Sequence, residues 1–128
     1  MVYKHIVMWK FKEQHNGKSA LENARWMKEQ LEGLVGVVPE LLSAEVGISP
    51  ALEQAAVAEA PAPVAAPSNA AGAPAPVASG EYDACLVSTF ASPEALAAYK
   101  VHPKHKAISA YCKEARVKRL AFDWWSEE

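Results

Sequence analysis

The opening segment YKHIVMWKF, residues 3–11, constrains the fold of this chain more than any other stretch. Read as a strand, it sends Tyr3, His5, Val7, Trp9 and Phe11 to one face, and Ile6 and Met8, between Lys4 and Lys10, to the other. Both faces are largely apolar, so both require cover. A sheet with helices on one side and a second subunit on the other meets that requirement. A chain of 128 residues is long enough to bury one core without metal or disulfide staples.

The rest of the chain supplies the other layers. Ser19 followed by Glu22 has the form of a capping box, and Leu21, Ala24, Met27 or Lys28, Leu31 and Leu34 recur at helical spacing. The spacing predicts a helix from about Ser19 to Leu34, ended by Gly33 and Gly36. Residues 41–47, LLSAEVG, read as a second strand, and residues 82–90, YDACLVSTF, as a third. Ser92 and Pro93 cap a short helix over EALAAYKV, which Pro103 breaks before a further helical segment from Lys104 to Glu114. The last strand is RVKRLAFDWW, ending at Trp125. Strand, helix, strand, strand, broken helix, strand is the order of a ferredoxin-like α+β fold, a four-stranded antiparallel sheet with helices on one face.

Residues 51–79 stand apart from this pattern. They hold 13 alanines and five of the nine prolines, and their only charges are Glu53 and Glu59. The start, ALEQAAVAEA, has the propensity for a short helix, and the alanine–proline alternation beyond it favours extended polyproline II. Its composition resembles the swinging linkers of multienzyme acyltransferases, but no second domain follows for it to tether. We read the chain, residues 1–128, as a single domain with residues 51–79 inserted between the second and third strands. Lengthening such a connection to over thirty residues costs only about 1.5 kcal/mol of closure entropy.

Charge and cysteine content narrow the function classes. A formal net charge of -2 gives no overall attraction for nucleic acid or for an anionic membrane surface. The N-terminal MVYKHIVMWKFK reads as a strand rather than a signal peptide, and no apolar run approaches transmembrane length. Cys85 and Cys112 lie outside any CxxC pair, as reduced core thiols of a cytoplasmic protein do.

The stretches KHIVMWKFK, VVPELLSAEVG, YDACLVSTF, LAAYKVHPKHK and the terminal FDWW together resemble the stress-responsive A/B barrel, or Dabb, family. The resemblance covers residues 1–50 and 80–125, and the long insertion departs from the family pattern. It implies a homodimer, two sheets meeting face to face in a dimeric α/β barrel, which is the missing cover for the first strand. Some plant members of the family are polyketide cyclases, including olivetolic acid cyclase, that close a poly-β-keto chain by an intramolecular aldol step without metal or organic cofactor. The resemblance carries their motif onto His5, Tyr99 and His105. His105 is then the base, Tyr99 the positioning donor and His5 an orienting group. A neutral imidazole is suited to take a proton from carbon acidified by two carbonyls, and a phenol to donate to the enolate oxygen.

Val7, Trp9, Met27 and His102 complete the expected lining of a pocket for a small hydrophobic or polyketide-like ligand. The alternatives are a noncatalytic stress or scaffold module in which the same rings are structural, and, by fold analogy alone, a cofactor-free monooxygenase. A metal site on His102, His105 and His5 is disfavoured, because Pro103 interrupts the helix and no carboxylate or cysteine nearby completes a set. His15, beside Asn16 and Gly17, is expected in a solvated turn. Trp26 falls off the helix stripe, and the Trp124–Trp125 pair must send its rings to opposite faces. Lys100, Lys104, Lys106, Lys113, Arg116, Lys118 and Arg119 make the C-terminal third basic, which suits either a solvated face or an acidic ligand. A space between sheet and helices closed by Trp9, Met27 and Phe122 favours a structural role; an open cavity reached by the histidines favours a site.

Overall fold

In the computed structural model the two-faced opening segment forms β1 (Val2–Phe11), an interior strand. The structure describes residues 1–58 and 81–127. After β1 come a small hairpin, β2 (Gln14–His15) and β3 (Lys18–Ser19), then α1 (Ala20–Glu32), β4 (Ser43–Ile48), α2 (Pro50–Ala58), β5 (Ala84–Phe90), α3 (Pro93–Val101), α4 (Pro103–Ala115) and β6 (Arg116–Ser126). The main sheet has the order β4-β5-β1-β6 with every pair antiparallel. This is the ferredoxin-like α+β arrangement, and the expected order of the principal elements holds.

Local chemistry sets the boundaries. The Ser19 side chain accepts from the Glu22 N–H at 3.1 Å and the Glu22 carboxylate from the Ser19 N–H at 2.9 Å, closing the capping box that starts α1. Pro103 forces His102 into extended backbone, ψ 135°, so α3 ends and α4 begins at that residue. The helix predicted at the start of the insertion is present as Pro50–Ala58; the polyproline reading from residue 59 onward falls outside the described residues.

One face of β1 carries the buried His5, Val7, Trp9 and Phe11 towards the helices. Around them Met27, Leu31, Val46, Leu86, Phe90 and Tyr99 form the core. His15 differs from the solvated turn expected of it. Asn16 and Gly17, with φ of 59° and 75°, make a tight hairpin turn that turns His15 back against Tyr111, ring centroids 5.3 Å apart. Tyr111 also stacks on Trp26 at 4.6 Å, so this tryptophan packs within its own chain.

A buried carboxylate pins the end of β1 to the start of β5. Asp83 accepts from the Phe11 N–H at 2.9 Å and from Lys10 Nζ at 3.2 Å, while its own N–H donates to the Trp9 carbonyl at 2.7 Å. Asp83→Ala strands the buried Phe11 N–H and is expected to lower stability by about 2 kcal/mol in urea unfolding. An unchanged midpoint would show that water or Lys10 replaces the carboxylate at no cost.

The outer face of the sheet is different in kind. Register places Ile6 opposite Val87 and Phe122, and Met8 opposite Cys85 and Leu120. Leu120 is 48% and Phe122 63% exposed, so an apolar band lies open across the sheet with no layer over it among the described residues. Trp125 packs on Tyr3 on the helix side, at 5.1 Å, and Trp124 stands beside Phe122 on the outer side, at 5.9 Å. The adjacent tryptophans do part to opposite faces.

Candidate functional site

Between the sheet and α4 lies an open cavity of about 220 Å³. β1 gives it His5, Val7 and Trp9, and α4 gives it His105, Ile108, Ser109 and Cys112. Leu31 and Leu86 close the apolar side, and Lys100, Arg116 and Arg119 bring positive charge. The space that Trp9, Met27 and Phe122 would have closed is therefore not closed. Met27 is fully buried in the core, and Phe122 lies on the opposite face of the sheet.

His5 is held by a residue that sequence reasoning missed. Antiparallel register sets Asp123 directly opposite His5, and the Asp123 carboxylate accepts from His5 Nδ1 at 2.5 Å. The proton on Nδ1 leaves Nε2 as the lone-pair nitrogen. Burial lowers the pKa of His5, although the hydrogen bond and charge of Asp123 pull the other way.

His105 has the same tautomer for a different reason. Its Nδ1 lies 3.2 Å from the Lys100 carbonyl oxygen, which can only accept, so Nδ1 carries the proton and Nε2 is basic. Burial lowers the pKa of His105 as well, and the Lys100 carbonyl resists that while His5, Arg119 and Lys100 add to it. The cavity thus gathers two imidazoles that burial keeps neutral, each with its Nδ1 proton tied back and Nε2 unprotonated.

The remaining predicted site residues fall in other places. Val7 and Trp9 line the cavity as expected; Met27 and His102 do not. His102 Nδ1 accepts from the Lys104 N–H at 3.1 Å and caps α4. Tyr99 is not among the lining residues either. Its ring packs against His105 with centroids 4.3 Å apart and against Phe90 at 5.1 Å, and its buried hydroxyl has no hydrogen-bond partner among the described residues. That burial pushes the phenol well above its ordinary pKa. Burial pushes the Cys112 thiol of the lining up to about 12, which disfavours its thiolate. Among the described residues no set of three or more His, Cys, Asp or Glu is placed to hold a metal ion, and no helix is long and apolar enough to cross a membrane.

The profile of the Stress responsive A/B Barrel Domain matches residues 3–60 and 69–126. The comparison with curated proteins finds no match. Among solved structures, a dimeric protein of unknown function with a ferredoxin-like fold from Bacteroides fragilis superposes with a TM-score of 0.68 at 20% identity, covering 98% of this chain and 96% of that one. A dimeric ferredoxin-like protein of unknown function from Thermobifida fusca gives 0.65 at 19% identity, covering 98% and 92%. A hydroxynitrile lyase from Passiflora edulis gives 0.64 at 17% identity, covering 100% and 96%. At these identities the likeness is one of fold.

Proposed function

Because the chain belongs to the stress responsive A/B barrel domain family, we propose that it is a homodimer, joined through the outer face of the sheet, whose cavity binds a small carbonyl compound and removes a proton from it without a cofactor. The observation that carries this reading is the pairing of two neutral imidazoles in one open cavity, with His105 tethered through Nδ1 so that Nε2 is available as a base. His105 Nε2 takes a proton from carbon flanked by two carbonyls, and the electron pair of that C–H bond moves onto a carbonyl oxygen as the enolate. His5, fixed by Asp123, orients the ligand from the sheet side. Tyr99 is a positioning residue whose ring fixes His105.

Lyase-type chemistry is compatible with the fold, since one solved neighbour is a hydroxynitrile lyase. An intramolecular aldol closure, as in the polyketide cyclases of the family, begins with the same proton removal. A noncatalytic stress or scaffold role leaves the paired tautomers without a use, and the monooxygenase alternative rests on fold analogy alone. The apolar band containing Phe122 and Leu120 supports the dimer, as does the dimeric state of the two bacterial neighbours. The family and a cavity of this kind suit a cytoplasmic protein.

The test is enolisation of acetylacetone, followed by ultraviolet absorbance of the enol, against an equal concentration of free imidazole. The protein is expected to exceed the imidazole rate. The neutral form of His105 is the base and its pKa is lowered, so the acid-side decline of the rate should have its midpoint below pH 6.5, the ordinary imidazole value. A rate no greater than free imidazole would sink the reading, as would a decline with its midpoint above pH 6.5.

A further inference from the structure

The charge around the cavity is one-sided. Lys100, Arg116 and Arg119 all line it, and none of the three has an ion-pair partner within 4 Å among the described residues. Asp123 acts on Arg119 through space, but its carboxylate is committed to His5 Nδ1. The apolar part of the lining, Val7, Leu31, Leu86 and Ile108, offers an anion nothing. Gathering three uncompensated cations around one small cavity of an otherwise slightly acidic chain costs electrostatic energy, and an anionic ligand is what would recover it.

We propose that the cavity selects a small 1,3-dicarbonyl compound bearing a carboxylate. The carboxylate seats on Arg119 with Lys100 beside it, and the carbon between the carbonyls faces His105. This rests on the base reading of His105 and adds the substrate class to it. Size agrees: a cavity of about 150 Å³ takes a benzene molecule, so one of about 220 Å³ suits on the order of eight to ten non-hydrogen atoms. The chemistry agrees as well. Removing a proton from a ligand that is already an anion is opposed by its own charge, and a cation on the carboxylate relieves that repulsion as the enolate forms. The fork of Arg119 supplies the planar, two-point match that a carboxylate requires, and the flexible ammonium of Lys100 follows the ligand at the rim.

The experiment compares acetopyruvate with acetylacetone, which share the acidic central carbon and differ in the carboxylate. Binding is read by Trp9 fluorescence or by NMR shifts of the His105 ring, and enolisation is read separately. Acetopyruvate is expected to bind the intact protein about ten to a hundred times more tightly than acetylacetone, as charge-assisted hydrogen bonds allow. In Arg119→Gln, and more weakly in Lys100→Gln, that preference should collapse, and it should also shrink in the intact protein as salt rises. Both side chains project at the exposed surface, so the variants are expected to fold; circular dichroism checks this. Equal binding of the two probes, a preference unaltered in Arg119→Gln, or inorganic sulfate binding as tightly as acetopyruvate would overturn the proposal. Tight, Arg119-dependent binding without enolisation above free imidazole would uphold carboxylate selection while removing the base from His105. Enolisation of acetylacetone with no preference for the acid would do the reverse.

Discussion

In the His105→Ala protein, enolisation is expected to fall by about 10²- to 10⁴-fold, the range a positioned general base contributes. His105 holds its place through one bond to the Lys100 carbonyl and a ring contact with Tyr99, and it stands at the cavity rather than in the main core. Its removal should therefore shift the melting midpoint little. His105→Gln keeps polar bulk at the position without a base of comparable strength, and should lose as much rate, which separates proton transfer from simple filling of space. Tyr99→Phe makes the contrast. The hydroxyl is buried without a described partner, so its removal should leave the midpoint unchanged or raise it. The rate should stay close to that of the parent if the ring alone supports His105. A collapse of rate in Tyr99→Phe would instead return the phenol to the role of donor to the ligand. A full rate in both His105 variants would place the base on His5 or exclude base catalysis.

Phe122→Asp is expected to convert the dimer to monomers at micromolar concentration, with a dissociation constant raised at least about a hundredfold, or roughly 3 kcal/mol. Phe122 is 63% exposed on a single chain and stands opposite Ile6 in the register, at the middle of the outer apolar band. A carboxylate there would be carried out of water between two sheets without a described cation at the adjoining Ile6 and Val87 positions. Light scattering coupled to size exclusion reads the result directly. Phe122→Leu, which keeps the surface apolar, should remain dimeric. A monomeric parent protein would overturn the dimer itself, and a Phe122→Asp protein as dimeric as its parent would move the interface off this face.

The sequence made the fold legible through features that are local or periodic. The period-two pattern of residues 3–11 identified an interior strand with two faces to cover, and Ser19, Glu22, Ser92 and Pro103 marked helix ends through short-range chemistry that operates in any context. The site was legible only in part. His5, Val7, Trp9 and His105 do share a cavity, as the motif and the strand alternation implied. Asp123 was passed over because its role depends on register between β1 and β6, residues 118 apart in sequence, and nothing in FDWW states which strand will lie opposite. Met27, expected in the pocket lining, lies on a helix stripe that faces the whole core, and it meets the filled part of it. His102 shares the HPKH stretch with His105, and proline geometry turned it to capping instead. The basic residues of the C-terminal third could be counted but not sorted. Only the pleat of β6 and the turn of α3 separate Arg119 and Lys100, at the cavity, from Lys118, which pairs with Glu81.

That pleat makes β6 intolerant of changes in length. Along eleven residues the odd positions Arg119 and Asp123 lie on the face that carries the cavity, and the even positions Leu120, Phe122 and Trp124 on the open outer face. A single deletion or duplication between Arg119 and Asp123 would put the residues on one side of the change onto the wrong face, sending a charge into the outer apolar band or apolar side chains towards the cavity. Point changes here can be absorbed one function at a time, whereas frame-preserving indels should be admitted in pairs or not at all.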